Sequence, residues 1–229
     1  MREKEYAIRW FVNNFFPKYR KARAMFFEEK ILPRLRGQEV TLFTPWGPRY
    51  AWKERGLVIK PQDKEFKVIK LFSVMFHELQ TNMPGKKFNW IFLGADLYGL
   101  KINNLPAEVV YKYFLNLEGS LKKILPEAEF ILWSELSQEA EVYRREVEQN
   151  FGKYITPEVI KRAEKTAKHL VDAGNPREYL IERVAEAKLM EELFRPIKIS
   201  CAPRHKDDVV DYELPRLYFA PEKLLSPWL

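Results

Sequence analysis

Apolar positions recur along this chain with two different periods. Helical spacing puts Val68, Phe72, Met75, Phe76 and Leu79 on one stripe of Glu65–Gln80. The same spacing puts Val110, Tyr113, Phe114, Leu117, Leu121 and Ile124 on one stripe of a helix that opens at Pro106. Between them, Phe88–Ala95 (FNWIFLGA) is an unbroken apolar run of strand length, the pattern of a strand covered on both faces. Shorter runs at Glu39–Thr44, ended by Pro45, and at Glu129–Trp133 and Ile197–Cys201 predict three more strands. Further helices are predicted at Lys4–Phe16 and Lys18–Leu35, broken at Pro17 and closed by Gly37, and at Ser137–Phe151, Pro157–Val171 and Pro176–Phe194. Thr156 before Pro157, and Asn175 before Pro176 with Glu178 three places on, are N-cap arrangements. The stretch from Pro45 to Pro61, rich in Pro, Gly and aromatic residues, reads as a loop.

Strands separated by helices of this length imply a mainly parallel sheet with right-handed crossovers. The expected fold is an α/β, Rossmann-like three-layer sandwich with two basic N-terminal helices and an extended C-terminal tail. One domain over residues 1–229 is expected: a basic helical segment at 1–37, the Rossmann-like core at 38–205, and a proline-rich wrapping tail at 206–229.

Composition narrows the class. With 46% apolar, 31% charged and 14% aromatic residues the chain is globular, not disordered. The single cysteine, Cys201, excludes an internal disulfide and a cysteine zinc cluster, which points to a reducing, cytoplasmic setting. No apolar run approaches the roughly 18 residues of a membrane span, so no membrane partner is expected. Abundant Lys, Glu and Arg suggest a thermophilic source.

The net charge of +7 is concentrated: residues 1–37 hold ten Lys or Arg against four Glu. Lys18, Arg20, Lys21 and Arg23 there are interleaved with Phe15, Phe16, Tyr19, Phe26 and Phe27, a pattern suited to tRNA or another RNA. The same spacing also describes a buried aromatic helix face with solvated Lys and Arg. That second reading is the weightier one for the aromatics.

Candidate chemistry lies where each strand ends, because ligands of parallel α/β sheets bind beyond the carboxyl ends of the strands. The first exit offers Trp46, Arg49 and Tyr50; the second Asp96 and Tyr98; the third Ser134 and Glu135; the fourth Arg204 and His205. Asp96 and Glu135, each following a buried run, are the candidate catalytic groups, able to orient or deprotonate a small-molecule ligand. The arginines suit phosphate or carboxylate, and the aromatic rings suit a planar group. No dinucleotide, P-loop or zinc-protease motif is present, so no cofactor is identified and no metal ligands are assigned. Of the three histidines, His77 and His169 fall within predicted helices, and His205 lies beside the charged run HKDD.

The segments GADLYGLKIN (Gly94–Asn103) and FILWSELSQEAEVYRREV (Phe130–Val147) resemble the catalytic domain of archaeal-type tyrosyl-tRNA synthetases. That resemblance covers about a quarter of the chain, and implies that Asp96 and Tyr143 lie near an aromatic amino-acid pocket. PWGPRY stands where such synthetases carry a HIGH-type motif, and nothing similar to KMSKS occurs downstream. The same synthetase-like architecture is used by cyclodipeptide synthases, which take aminoacyl-tRNA and need no ATP motifs, and by isocyanide synthases acting on aromatic amino acids. The run YLIERVAE, with Tyr179 and Glu182, resembles the Tyr and Glu element of the cyclodipeptide synthases with one residue fewer between them. Together these readings imply a synthetase-related protein that binds a nucleotide-like or aminoacyl ligand, with a transferase using tRNA as the reaction class they suggest; the rival reading is a non-catalytic nucleic-acid-binding subunit.

Overall fold

The central strand, β1 (Glu39–Trp46), alternates between exposed and buried positions at its start and is mostly buried from Leu42 onward. The computed structural model describes residues 27–47, 50–53, 56–59, 63–102, 104–158, 160–161, 176–200 and 216–218. On one side β1 pairs in parallel with β4 (Lys87–Gly94), which pairs in parallel with β5 (Ala128–Leu132). On the other side β1 pairs in parallel with β6 (Ile197–Ser200), and β6 with β7 (Arg216–Tyr218). The sheet order is β5-β4-β1-β6-β7, so the direction of winding reverses between β1 and β6. That is the order of a doubly wound Rossmann-like sheet, and the expected fold class holds.

Strand alternation separates two cores. Val40, Leu42, Trp46, Trp90 and Phe92 point to one face, covered by α2 (Asp63–Asn82) and α3 (Ala107–Ile124) through Phe72, Phe76, Tyr113 and Phe114. Phe43, Ile91 and Leu93 point to the other, covered by α4 (Ser137–Gln149) and α6 (Pro176–Phe194) through Ala140, Ala187 and Met190. A third cluster, Val147, Ile155, Leu180, Ile181 and Val184, binds α4, the single turn α5 (Phe151–Tyr154) and α6 to one another. Gly94 is small for a packing reason: a Cβ there would stand 2.9 Å from Leu132, Phe114 and Phe130 side-chain atoms.

Three expectations need correction. β1 runs through Pro45 to Trp46 instead of stopping at Thr44. Trp46 accepts the Ala95 N–H on the β4 side, so Pro45, pointing the opposite way, lacks its N–H only where the pairing with β6 has ended. The stretch read as a loop contains an antiparallel hairpin, β2 (Tyr50–Lys53) and β3 (Gly56–Ile59). The tail is not simply a wrapping segment, because residues 216–218 add an edge strand directly after Pro215. Of the two basic helices, residues 1–26 lie outside the described residues. From Phe27 the chain makes a wide π turn (Phe27–Ile31) leading into α1 (Leu32–Arg36). Pro33 at its start has no N–H for the preceding turn. Gly37 closes α1, donating its N–H to Arg34 O at 3.1 Å.

Candidate functional site

At the exit of β1 the side chain of Trp46 turns into the core. Its ring lies 6.4 Å from Phe72 and 6.1 Å from Phe92, and its indole N–H donates to the Tyr113 hydroxyl at 2.9 Å. Tyr113 in turn donates to Oε1 of the fully buried Glu65 at 2.7 Å. Trp46 was expected to pack on a ligand ring; the structure places it in the core, where burial of its large apolar face dominates.

The exit of β4 is buried from Ala95 to Gly99. Asp96 is fully buried, and its Oδ1 accepts the backbone N–H of Ser134 at 3.0 Å. That bond ties the exits of β4 and β5 together. Its other oxygen, Oδ2, is buried and has no hydrogen-bond partner among the described residues. A buried unpartnered carboxylate oxygen is costly and rare, and marks a strained or functional position. The backbone after it is also unusual: a π turn spans Tyr98–Ile102, and Asn104 takes the left-handed conformation with φ 48°. Both features concentrate at functional sites.

At the exit of β5 a short 3₁₀ turn, Trp133–Leu136, begins α4. Glu135 is exposed, and its Oε2 accepts the Leu132 N–H at 2.9 Å, closing that turn. Ser134 contributes its backbone N–H to Asp96. Of the two candidate carboxylates, therefore, Asp96 is enclosed between the exits, whereas Glu135 caps a turn at the surface.

The sequence reading missed a polar layer beneath these exits. Glu182 and Glu186, one helical turn apart on α6, are both only 2% exposed. Oε2 of Glu182 accepts the Trp133 indole N–H at 2.9 Å and Arg144 Nη2 at 2.9 Å, with Arg144 Nε 2.8 Å from Oε1. Oε2 of Glu186 accepts the Tyr98 hydroxyl at 2.9 Å, and Oε1 accepts Arg183 Nη1 at 3.2 Å. The Tyr98 ring meets Tyr179 edge-on at 5.8 Å. Burial first, then the Glu186 charge, raises the Tyr98 pKa well above 10, so its hydroxyl stays a donor. Burial disfavours the Arg144 charge, yet its bonds to Glu182 outweigh this and raise its pKa. The available signal was two glutamates spaced by four, Glu182 and Glu186, on a helical run that also carries Leu180, Ile181, Val184 and Ala185. Tyr179 and Glu182, singled out by resemblance, do reach this layer, Glu182 through Trp133 and Tyr179 through Tyr98.

Tyr143 on α4 donates to Glu192, near the end of α6, and this bond raises its pKa to about 12. The end of α6 leads into the amino end of β6, so Tyr143 is held toward the edge opposite Asp96. Arg49, Arg204, His205, Lys18, Arg20, Lys21 and Arg23 lie outside the described residues, and of Tyr50 only the backbone, in β2, is described.

A parallel sheet wound in this order, with Asp96 joining two strand exits, defines a Rossmann-like fold whose distinctive polar groups lie at the carboxyl edge. Among solved structures the chain is similar to the PvcA protein from Pseudomonas aeruginosa, with TM-score 0.58 and 14% identity over 92% of this chain and 84% of that one. It is also similar to the tyrosyl-tRNA synthetase from Archaeoglobus fulgidus, solved with L-tyrosine, with TM-score 0.53 and 14% identity over 84% of this chain. It spans 58% of that synthetase's length. A more distant overlap, with TM-score 0.47 and 9% identity, covers 88% of this chain and 94% of the CDPS from Staphylococcus haemolyticus. The fold is thus the class I, tyrosyl-type synthetase-like Rossmann fold. No family model matches the chain, and no curated protein matches it by sequence. No described helix is long and apolar enough to cross a membrane.

Proposed function

We propose that this protein binds a nucleotide-like or aminoacyl ligand at the carboxyl edge of its sheet, as a synthetase-related transferase, with Asp96 orienting or deprotonating the ligand. The observation that carries the reading is the Asp96 carboxylate, fully buried, bonded through one oxygen to Ser134 and unpartnered among the described residues through the other. A donor group on a ligand would satisfy that oxygen and recover the cost of its burial. Tyr98 lends ring surface only, because its hydroxyl is engaged by Glu186. Arg49 and Arg204 supply charge for a phosphate or carboxylate, with Tyr50 and His205 next to them in sequence. Lys18, Arg20, Lys21 and Arg23 contact tRNA or another RNA. The likeness to a synthetase solved with L-tyrosine supports an aromatic amino acid, free or esterified to tRNA, as the first ligand to try.

The test is thermal unfolding with L-tyrosine, ATP and tyrosyl-tRNA, each added to wild type and to Asp96→Asn. A ligand at a hundredfold excess over its Kd stabilises by about 2.7 kcal/mol, several degrees of Tm for a domain of this size. At least one of the three should produce that rise in wild type and a much smaller one in Asp96→Asn. No rise with any of them, or an equal rise in the variant, contradicts the proposal.

A further inference from the structure

Two neighbouring strand exits dock on one helix in the same way. After β4, Tyr98 donates its O–H to Glu186; after β5, Trp133 donates its indole N–H to Glu182. The two glutamates stand one turn apart on α6, and each has its own arginine, Arg183 or Arg144. If α6 needed only to cover the sheet, apolar side chains would serve at least as well, because desolvating a carboxylate costs about as much as its ion pair returns. What an apolar contact does not supply is direction. A hydrogen bond to a fixed acceptor sets the rotation of each aromatic ring, and with it the backbone turn that carries the ring.

Those turns are the two halves of the Asp96 bond. Asp96 lies two residues before Tyr98, and Ser134, whose N–H it accepts, directly follows Trp133. Both partners of the bond are therefore anchored within two residues to the same helix. The π turn at Tyr98–Ile102 and the left-handed Asn104 show that this segment does not take an unconstrained helical path.

We propose that Glu186, through Tyr98, and Glu182, through Trp133, are positioning residues that hold Asp96 against Ser134 and so aim its second oxygen. The functional half of this inference rests on Asp96 being the ligand-contacting group. The geometric half needs no ligand and is tested without one.

The experiment is amide hydrogen exchange by NMR on the full chain, with the Ser134 amide as reporter and the Phe43 and Ile91 amides as references in the central strands. Tyr98→Phe removes the donor, Glu186→Leu removes the acceptor, and Glu186→Gln keeps an acceptor oxygen while removing the charge. Ser134 exchange should quicken about tenfold more than Phe43 and Ile91 exchange in Tyr98→Phe and Glu186→Leu, the size expected for one lost buried hydrogen bond. In Glu186→Gln it should track the references to within about threefold, as expected when the bond itself survives. Should Glu186→Leu fail to fold, Tyr98→Phe carries the test. Ser134 quickening by the same factor as the references, or not at all, overturns the proposal and leaves the glutamates as ordinary packing groups. Ser134 loosening as expected, with no binding of L-tyrosine, ATP or tyrosyl-tRNA, would instead contradict the proposed function and leave the positioning role standing.

Discussion

Arg144 is the residue on which the acid layer depends most. Its side chain is 11% exposed and that of Glu182 3%, so the pair exchanges little with solvent. Among the described residues, removing the cation alone leaves a buried carboxylate with only the Trp133 N–H for support. Arg144→Met should therefore cost about 3–5 kcal/mol in urea unfolding, and adding Glu182→Leu should recover part of that loss. A cost near that of a surface ion pair, under about 1 kcal/mol, would show that the layer is solvated. Tyr143 gives a pH signature of its own. The Glu192 bond, then burial, raises its pKa from 10 to about 12, so the folded state holds the proton more tightly than the unfolded chain. Its contribution is fully present below pH 10 and is lost as the pH climbs from 10 to about 12. Melts across that range should show a decline that Tyr143→Phe shallows; an identical decline in the variant would assign the loss to other groups.

At the scale of elements, the strands and the longer helices were legible because their apolar positions carry a clear period. α3 and α6 begin within one residue of where proline placed them, and β4 within one residue of its apolar run. The hairpin β2–β3 was not legible, because its short strands sit among Gly, Pro and charged residues that signal a loop. β7 was hidden for the same reason: three residues in a proline-rich tail carry no period of their own. Turn chemistry was more readable. Pro84 and Gly85 ended the α2 pattern, and Gly85 has φ 80° with Lys86 N–H bonded to Met83 O at 3.3 Å, the geometry of a type II turn. Gly85→Ala should cost about 1–2 kcal/mol by denaturant unfolding, because an L side chain is strained there. No measurable change would mean that the turn adopts another conformation in solution.

At the scale of the molecule, topology does what local pattern cannot, bringing residues 96, 134, 182 and 186 to one edge of a parallel sheet. The rim itself was deducible from strand order, and so was Asp96, since an acid directly after a buried run is visible in sequence. The acid layer was not, because α6 is buried on most sides and its charged positions broke no readable stripe. Nor was Trp46, where sequence alone does not distinguish a ring that covers the core from one that meets a ligand.

In the proposed function the carboxyl edge around Asp96 receives the ligand. Amide chemical-shift mapping by NMR during titration with L-tyrosine, ATP and tyrosyl-tRNA tests it most directly. Perturbations from at least one of them should concentrate at Trp46–Gly47, Ala95–Gly99, Trp133–Glu135 and the first turns of α6, and should weaken in Asp96→Asn. Perturbations gathered instead at the amino edge, around Glu39, Lys87 and Ala128, or none from any of the three, would contradict it.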